Sequence, residues 1–184
     1  MGVAARKHYT SSDFLKFPDD GNRHEVINGE WIRTPPPSLD HQRVVGMLYA
    51  TLRSHAADRG LGEAFVAPVG VLLSPTDAIQ PDVVFVSEKR AKLKKKDAIH
   101  GAPDLMVEVL SPSTTSVDRT RKLTLYEKSG VREYWIVDPA SRTVEIHEFG
   151  GARRLRVHQE GQSFESAVLP GLSLAVSAIF SSLR

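Results

Sequence analysis

The chain has 184 residues, 41% of them apolar and 25% charged, with no cysteine. That composition suits one globular domain with its own core and excludes disorder, disulfide scaffolds, thiolate metal sites and cysteine nucleophiles. The net charge of +2 argues for no particular partner, and no apolar run approaches the roughly 18 residues of a membrane span.

Residues 1–17 lack an apolar stretch of signal-peptide length, and Arg6 breaks the myristoylation pattern, so a cytoplasmic chain is expected. Residues 1–21 read as an irregular lead-in, with a short helix after Ser11 or Ser12. His24 to Arg33 alternates around Asn28-Gly29, the strongest short signal for a hairpin, and sets Glu25 opposite Ile32. Pro35, Pro36 and Pro37 end it. Ser38 caps a helix to about Arg59, stopped by Gly60, whose buried face is His41, Val44, Val45, Leu48, Leu52 and Ala56.

Strands follow at 65–73, 81–86 and 104–110. The last is almost wholly apolar, as a central strand should be. Between them residues 88–97, EKRAKLKKKD, form a basic loop or short helix of net +4 on an otherwise mildly acidic chain. Ser111 to Ser116 is a polar loop. Thr115-Ser116-Val117-Asp118 resembles a capping box and opens a helix to Ser129, before a strand at 133–138. Residues 143–149 return, shorter strands lie near 154–158 and 163–168, and a helix closes the chain at 176–183. The expected fold is one mixed α/β domain over residues 1–184, with a single sheet covered by helices and a strand-rich tail.

Glu108 is the most informative residue. It sits between Met106 and Leu110 on one face of an apolar strand. A carboxylate there costs several kcal/mol unless it is paired, hydrogen-bonded or metal-bound. Asp82 opens another apolar strand, on the face of Val84 and Val86. If the strands are adjacent and in register, the two acids converge, and oxygen-only ligation favours Mg²⁺ or Mn²⁺. Otherwise Asp82 caps a strand end and Glu108 pairs with a buried arginine. Lys122 either forms an i, i+4 pair with Asp118 or reaches over the sheet toward Glu108. Glu25 is a possible third carboxylate. His41 is a core histidine or a site residue. The seven histidines contain no HxxxH or HExxH, and GxSxG, Walker and GxGxxG motifs are absent. The basic block (Lys89, Arg90, Lys92, Lys94, Lys95, Lys96) carries no aromatic residue, so any nucleic-acid contact it makes is to phosphates.

These residues resemble the PD-(D/E)XK nuclease superfamily, and more narrowly its Uma2 family of restriction-endonuclease-like domains. The likeness rests on HEVINGEW, the PPPS entry to the first helix, QPDVVFV, APDLMVEVLSPST, DRTRKLTLYEKSGVREYWIVDP and LPGLSL, over about residues 12–180. It implies a core of helix, three strands, helix and strand, and a Mg²⁺- or Mn²⁺-dependent endonuclease acting on nucleic acid, DNA first. By the resemblance Asp82 and Glu108 hold the metal with the Val109 carbonyl, and Lys122 orients the water. Glu25 and His41 are accessory, and the chain is a homodimer through its tail. Leu110 stands where the superfamily pattern has its lysine, so Lys122 is supplied from the following helix. Lys122→Ala is then expected to abolish cleavage with the fold intact. The rival readings are an inactive nucleic-acid-binding module, a structural scaffold whose acids pair with Arg119 or Arg121, and a hydrolase of small phosphoesters.

Overall fold

Asn28 and Gly29 both adopt positive φ, 51° and 74°, the mirror-image turn that matches strand twist. They join β1 (Arg23–Ile27) to β2 (Glu30–Thr34), with Glu25 opposite Ile32 as expected. The structure, a computed structural model, describes residues 7–183. The first part of the expected lead-in, residues 1–6, lies outside that range. Within it, α1 (Ser11–Phe14) is closed by a reciprocal cap between Thr10 and Asp13.

Ser38 starts α2 (Leu39–Asp58) by accepting the His41 N–H at 3.2 Å. Its buried residues are the six expected from periodicity. The strand expected at 65–73 is two strands in two sheets. β3 (Gly62–Val66) ends before Pro68, which has no N–H for a ladder, and β4 (Val71–Ser74) turns back onto β5 (Asp77–Ile79). β6 (Val83–Ser87) runs into a tight helical turn at Glu88–Leu93, then β7 (Ile99–His100) and β8 (Leu105–Val109).

Next, α3 (Thr115–Val117) passes without a break through a π-helical stretch, Asp118–Lys122, into α4 (Leu123–Ser129). The expected capping box does not form. No side chain caps the helix at Thr114, and Asp118 is turned toward Lys122. Gly130, at φ 87°, ends the helix. β9 (Glu133–Asp138), β10 (Thr143–Glu148), β11 (Arg154–Gln159), β12 (Ser163–Glu165), β13 (Ser173–Ala175) and α5 (Val176–Ile179) complete the order.

The expectation of one sheet is corrected to three among the described residues. They are β11-β10-β9-β8-β6-β3, β2-β1-β5-β4-β7, and the pair β12-β13. The hairpin pairs with β5, not with a core strand, which separates the five-stranded sheet from the six-stranded one. α2, β3, β6, β8, the 115–129 helix and β9 follow the order of helix, three strands, helix and strand that the resemblance implies. β8 is antiparallel to β6 and parallel to β9, so a crossover helix must lie between β8 and β9. One face of the large sheet packs Val83, Phe85 and Val107 on Val44, Leu48 and Leu52 of α2. The other packs Val84, Met106 and Ile136 on Tyr126 of α4 and on Ile27 and Ile79 of the second sheet. Burial on both faces is why β8 carries no alternation.

Candidate active site

β6 and β8 pair Val83 with Val107, so one more step of that register sets Asp82 opposite Glu108. Adjacent strands lie about 4.8 Å apart. The two acids therefore meet at the end of the strand pair, each only 1% exposed. Glu25 on β1 and Asp118 on the π-helical stretch converge on the same region, also buried.

Lys122 joins three of these acids. Its Nζ lies 3.0 Å from Glu25 Oε1, 3.0 Å from Glu108 Oε1 and 3.2 Å from Asp118 Oδ1. Of the three, the contact to Glu108 is a hydrogen bond, and those to Glu25 and Asp118 are close ion pairs. Both expectations for Lys122 therefore meet in one residue, which pairs with Asp118 and also reaches Glu108. The wide π turn, a feature often found at functional sites, carries both of its ends. Tyr126 adds an O–H to Glu108 Oε1 at 2.7 Å, leaving Oε2 the freer oxygen.

Sequence reasoning missed Arg23. Its guanidinium donates to Asp82 Oδ1, and its Nη1 lies 3.6 Å from Glu108 Oε2. The available signal was period two: Arg23 shares a hairpin face with Glu25. Arg119 and Arg121 are engaged elsewhere. Arg119 pairs with Glu145, and Arg121 donates to the Ile27 carbonyl and sits 3.1 Å from Glu30. Asp82 Oδ2 accepts the Val109 N–H at 2.7 Å. His41 Nε2 lies 3.0 Å from the Val109 carbonyl and 3.3 Å from Asp82 Oδ2.

The electrostatics follow from burial. Burial works to raise Asp82, but the His41 hydrogen bond and the Arg23 charge outweigh it and hold the carboxyl at about 2. Glu108 is pushed up to about 8, chiefly by burial, with Asp118, Asp82 and Glu25 adding to the rise against the pull of Lys122. Lys122 is disfavoured as a cation by burial, yet Glu108, Glu25 and Asp118 together raise it above its ordinary value. Four carboxylates face two permanent side-chain cations, Arg23 and Lys122. With all four acids ionised, two negative charges would be in surplus, and the raised Glu108 lessens that surplus in the metal-free cluster.

Among the described residues no group of three or more His, Cys, Asp or Glu side chains is arranged to hold a metal. The available donors are the Asp82 carboxylate, Glu108 Oε2 and the Val109 carbonyl. All three are oxygens and fit a hard cation. That Arg23 already spans Asp82 and Glu108 shows that positive charge fits at the point where they meet.

A cleft of about 630 Å³ runs past His41, Leu110, Ser111, Asp138 and Arg142. A smaller one of about 180 Å³ is lined by Arg23, residues 34–38, His41 and residues 111–114. The basic block lies at the other end of β6, a strand of about 17 Å, from Asp82. Arg90 is spent on the Ala102, Pro103 and Gly130 carbonyls, and Lys94 pairs with Glu63 at 2.8 Å. Lys89, Lys92, Lys95 and Lys96 stay exposed.

A family model, Uma2, described as "Putative restriction endonuclease", matches residues 11–177. The chain belongs to the Uma2 family. An uncharacterized protein of Synechocystis sp., sll1609, is 27% identical over 157 residues, 84% of this Uma2 chain and 88% of its own length. The crystal structure of a "putative nuclease belonging to DUF820" from Anabaena variabilis matches with a TM-score of 0.78 at 22% identity. That match covers 94% of this chain and 97% of the other, and it speaks to the shared fold.

Proposed function

We propose that this Uma2 protein is a Mg²⁺- or Mn²⁺-dependent endonuclease that hydrolyses phosphodiester bonds in nucleic acid, with DNA as the first substrate to test. The observation that carries the reading is the meeting of Asp82 and Glu108 at one buried, cation-bridged point. Asp82, Glu108 and the Val109 carbonyl would hold the ion. When bound, it lowers the pKa of a coordinated water and neutralises charge on the phosphate.

The chain's own residues prepare that site. Lys122 is enclosed by three carboxylates and donates to Glu108, so it acts as a positioning residue: with Tyr126 it fixes Glu108 Oε1 and leaves Oε2 for the metal. His41 steadies the Asp82 carboxylate and the Val109 carbonyl together. Glu25 and Asp118 keep Lys122 charged. Lys89, Lys92, Lys95 and Lys96 draw nucleic acid toward the surface without touching the reacting bond. The chain, residues 1–184, works as one domain in the cytoplasm. The partner of the tail is a second copy, met by the edge strand β11, where Leu155 and Val157 are more than half exposed. Among the described residues no helix is long and apolar enough to cross a membrane.

The test is nicking of supercoiled plasmid by purified protein with Mn²⁺ or Mg²⁺, lost in EDTA and in Asp82→Asn and Glu108→Gln. Cleavage that survives EDTA overturns the reading. One observation favours a second reading: Arg23 and Lys122 already pair both acids, as an inactive nucleic-acid-binding or structural module would. Such a module binds no Mn²⁺ at these acids.

A further inference from the structure

Arg23 is the member of the cluster most open to solvent. Its side chain is 16% exposed, against 2% for Asp82 and 1% for Glu108 and Lys122. It sits at the first position of β1, just after the turn at Asp20 to Asn22, and it lines the 180 Å³ cleft between residues 34–38 and 111–114. Its two terminal nitrogens point at the carboxylate oxygens that the proposed metal needs, Asp82 Oδ1 and Glu108 Oε2. By contrast, Lys122 takes Glu108 by the other oxygen and does not compete.

We propose that Arg23 is a built-in stand-in cation: its guanidinium occupies the metal position between Asp82 and Glu108 and must withdraw into the adjoining cleft for a divalent ion to enter, so that Arg23 sets the metal affinity. The proposal rests on the metal-dependent reading above. The physical basis is exclusion. A guanidinium and a divalent ion cannot share two carboxylate oxygens at once, and like charges a few Å apart in a buried site repel strongly. A planar fork suits this role because it spans two carboxylates as a single point charge does not. The cleft beside it is lined by prolines, hydroxyls and His41, with no acid to hold the guanidinium once it has left. Return to the acids is therefore favoured whenever the ion is absent.

The experiment titrates EDTA-stripped full-length protein with Mn²⁺, reading free Mn²⁺ by electron paramagnetic resonance. A guanidinium with a purely structural role predicts weaker or unchanged Mn²⁺ binding when it is removed. The proposal predicts the opposite: Arg23→Gln binds Mn²⁺ about tenfold tighter than the wild type, or binds it where the wild type does not, while its metal-free form melts at lower temperature. Where Arg23→Gln does not fold, Arg23→Lys keeps the charge but cannot bridge both acids, and is expected to bind about threefold tighter than the wild type. Equal or weaker binding by the variant, with wild-type binding intact and abolished by Asp82→Asn, overturns the stand-in role and leaves the metal reading standing. No Mn²⁺ bound by either chain, or binding indifferent to Asp82→Asn, overturns both.

Discussion

Lys122 reaches Glu108 from fourteen residues downstream, Nζ to Oε1 3.0 Å, and the same ammonium holds Glu25 and Asp118. Removing it leaves Glu25 and Asp118 without that buried cation and Glu108 without one of its donors. Breaking a buried pair on one side costs about 3–5 kcal/mol. Lys122→Ala should therefore lower the unfolding free energy by roughly that amount, read by urea denaturation. A stability cost is thus expected beside the loss of cleavage in that variant. An intact stability curve for Lys122→Ala would mean that the acids are neutral without it.

Tyr126 offers a finer probe of the same carboxylate. Its hydroxyl donates to Glu108 Oε1 at 2.7 Å inside the core, and the ring packs edge-on to Tyr134 at 4.7 Å between centroids. Tyr126→Phe keeps the ring and deletes one donor to a group that retains Lys122. The expected loss is about 1–2 kcal/mol, with no change in the denaturant m-value. A neutral result would place the hydroxyl's hydrogen bond elsewhere.

The pH dependence has a definite sign. Burial pushes Glu108 up to about 8 from an ordinary 4.5, so the folded state holds its proton more tightly. The stability it contributes is present below 4.5 and is lost as pH rises toward 8, at up to about 1.4 kcal/mol per pH unit. His41, raised above 6.5 by its hydrogen bond and charge interaction with Asp82 against burial, acts in the same direction. Asp82 does the reverse: its stabilisation is present above 3.8 and fades as pH falls toward 2. Metal-free protein should be most stable near pH 4–5 and weaken toward pH 8. Glu108→Gln, which imitates the protonated carboxyl, should flatten the upper limb. Denaturation curves in EDTA across this range check it, and a wild-type curve level from pH 5 to 8 would show Glu108 ionised throughout.

Local chemistry was legible where one element decides it. The six buried residues of α2 follow from a 3.6-residue period, and the hairpin follows from Asn28-Gly29. The acids stood out because Asp82 and Glu108 interrupt apolar strands. What escaped was set by register between distant segments. Pro68 already marked the break between β3 and β4, but only the structure shows that β4 joins another sheet. Arg23 reads as a surface residue at a hairpin mouth, and its partners lie on strands far along the chain. Tyr126 reads as an ordinary core aromatic, since its hydroxyl's partner comes from a different element.

The basic block separates attraction from chemistry. Lys89, Lys92, Lys95 and Lys96 are exposed beyond the end of β6 that lies opposite Asp82, whereas Arg90 and Lys94 are tied into the fold. Neutralising the four exposed lysines together should leave stability within about 0.5 kcal/mol of the wild type. DNA binding should weaken most at low salt, and the dependence of log K on log salt should become shallower by about 0.9 for each phosphate that is no longer neutralised. Cleavage rate at saturating DNA should not change, because none of the four touches the acids. Arg90→Ala should behave differently, losing stability because buried Asp104 loses a nearby cation and the Ala102 and Pro103 carbonyls lose their donor, while leaving the salt slope alone. A quadruple variant that binds DNA as tightly as the wild type at low salt would assign the steering to another surface.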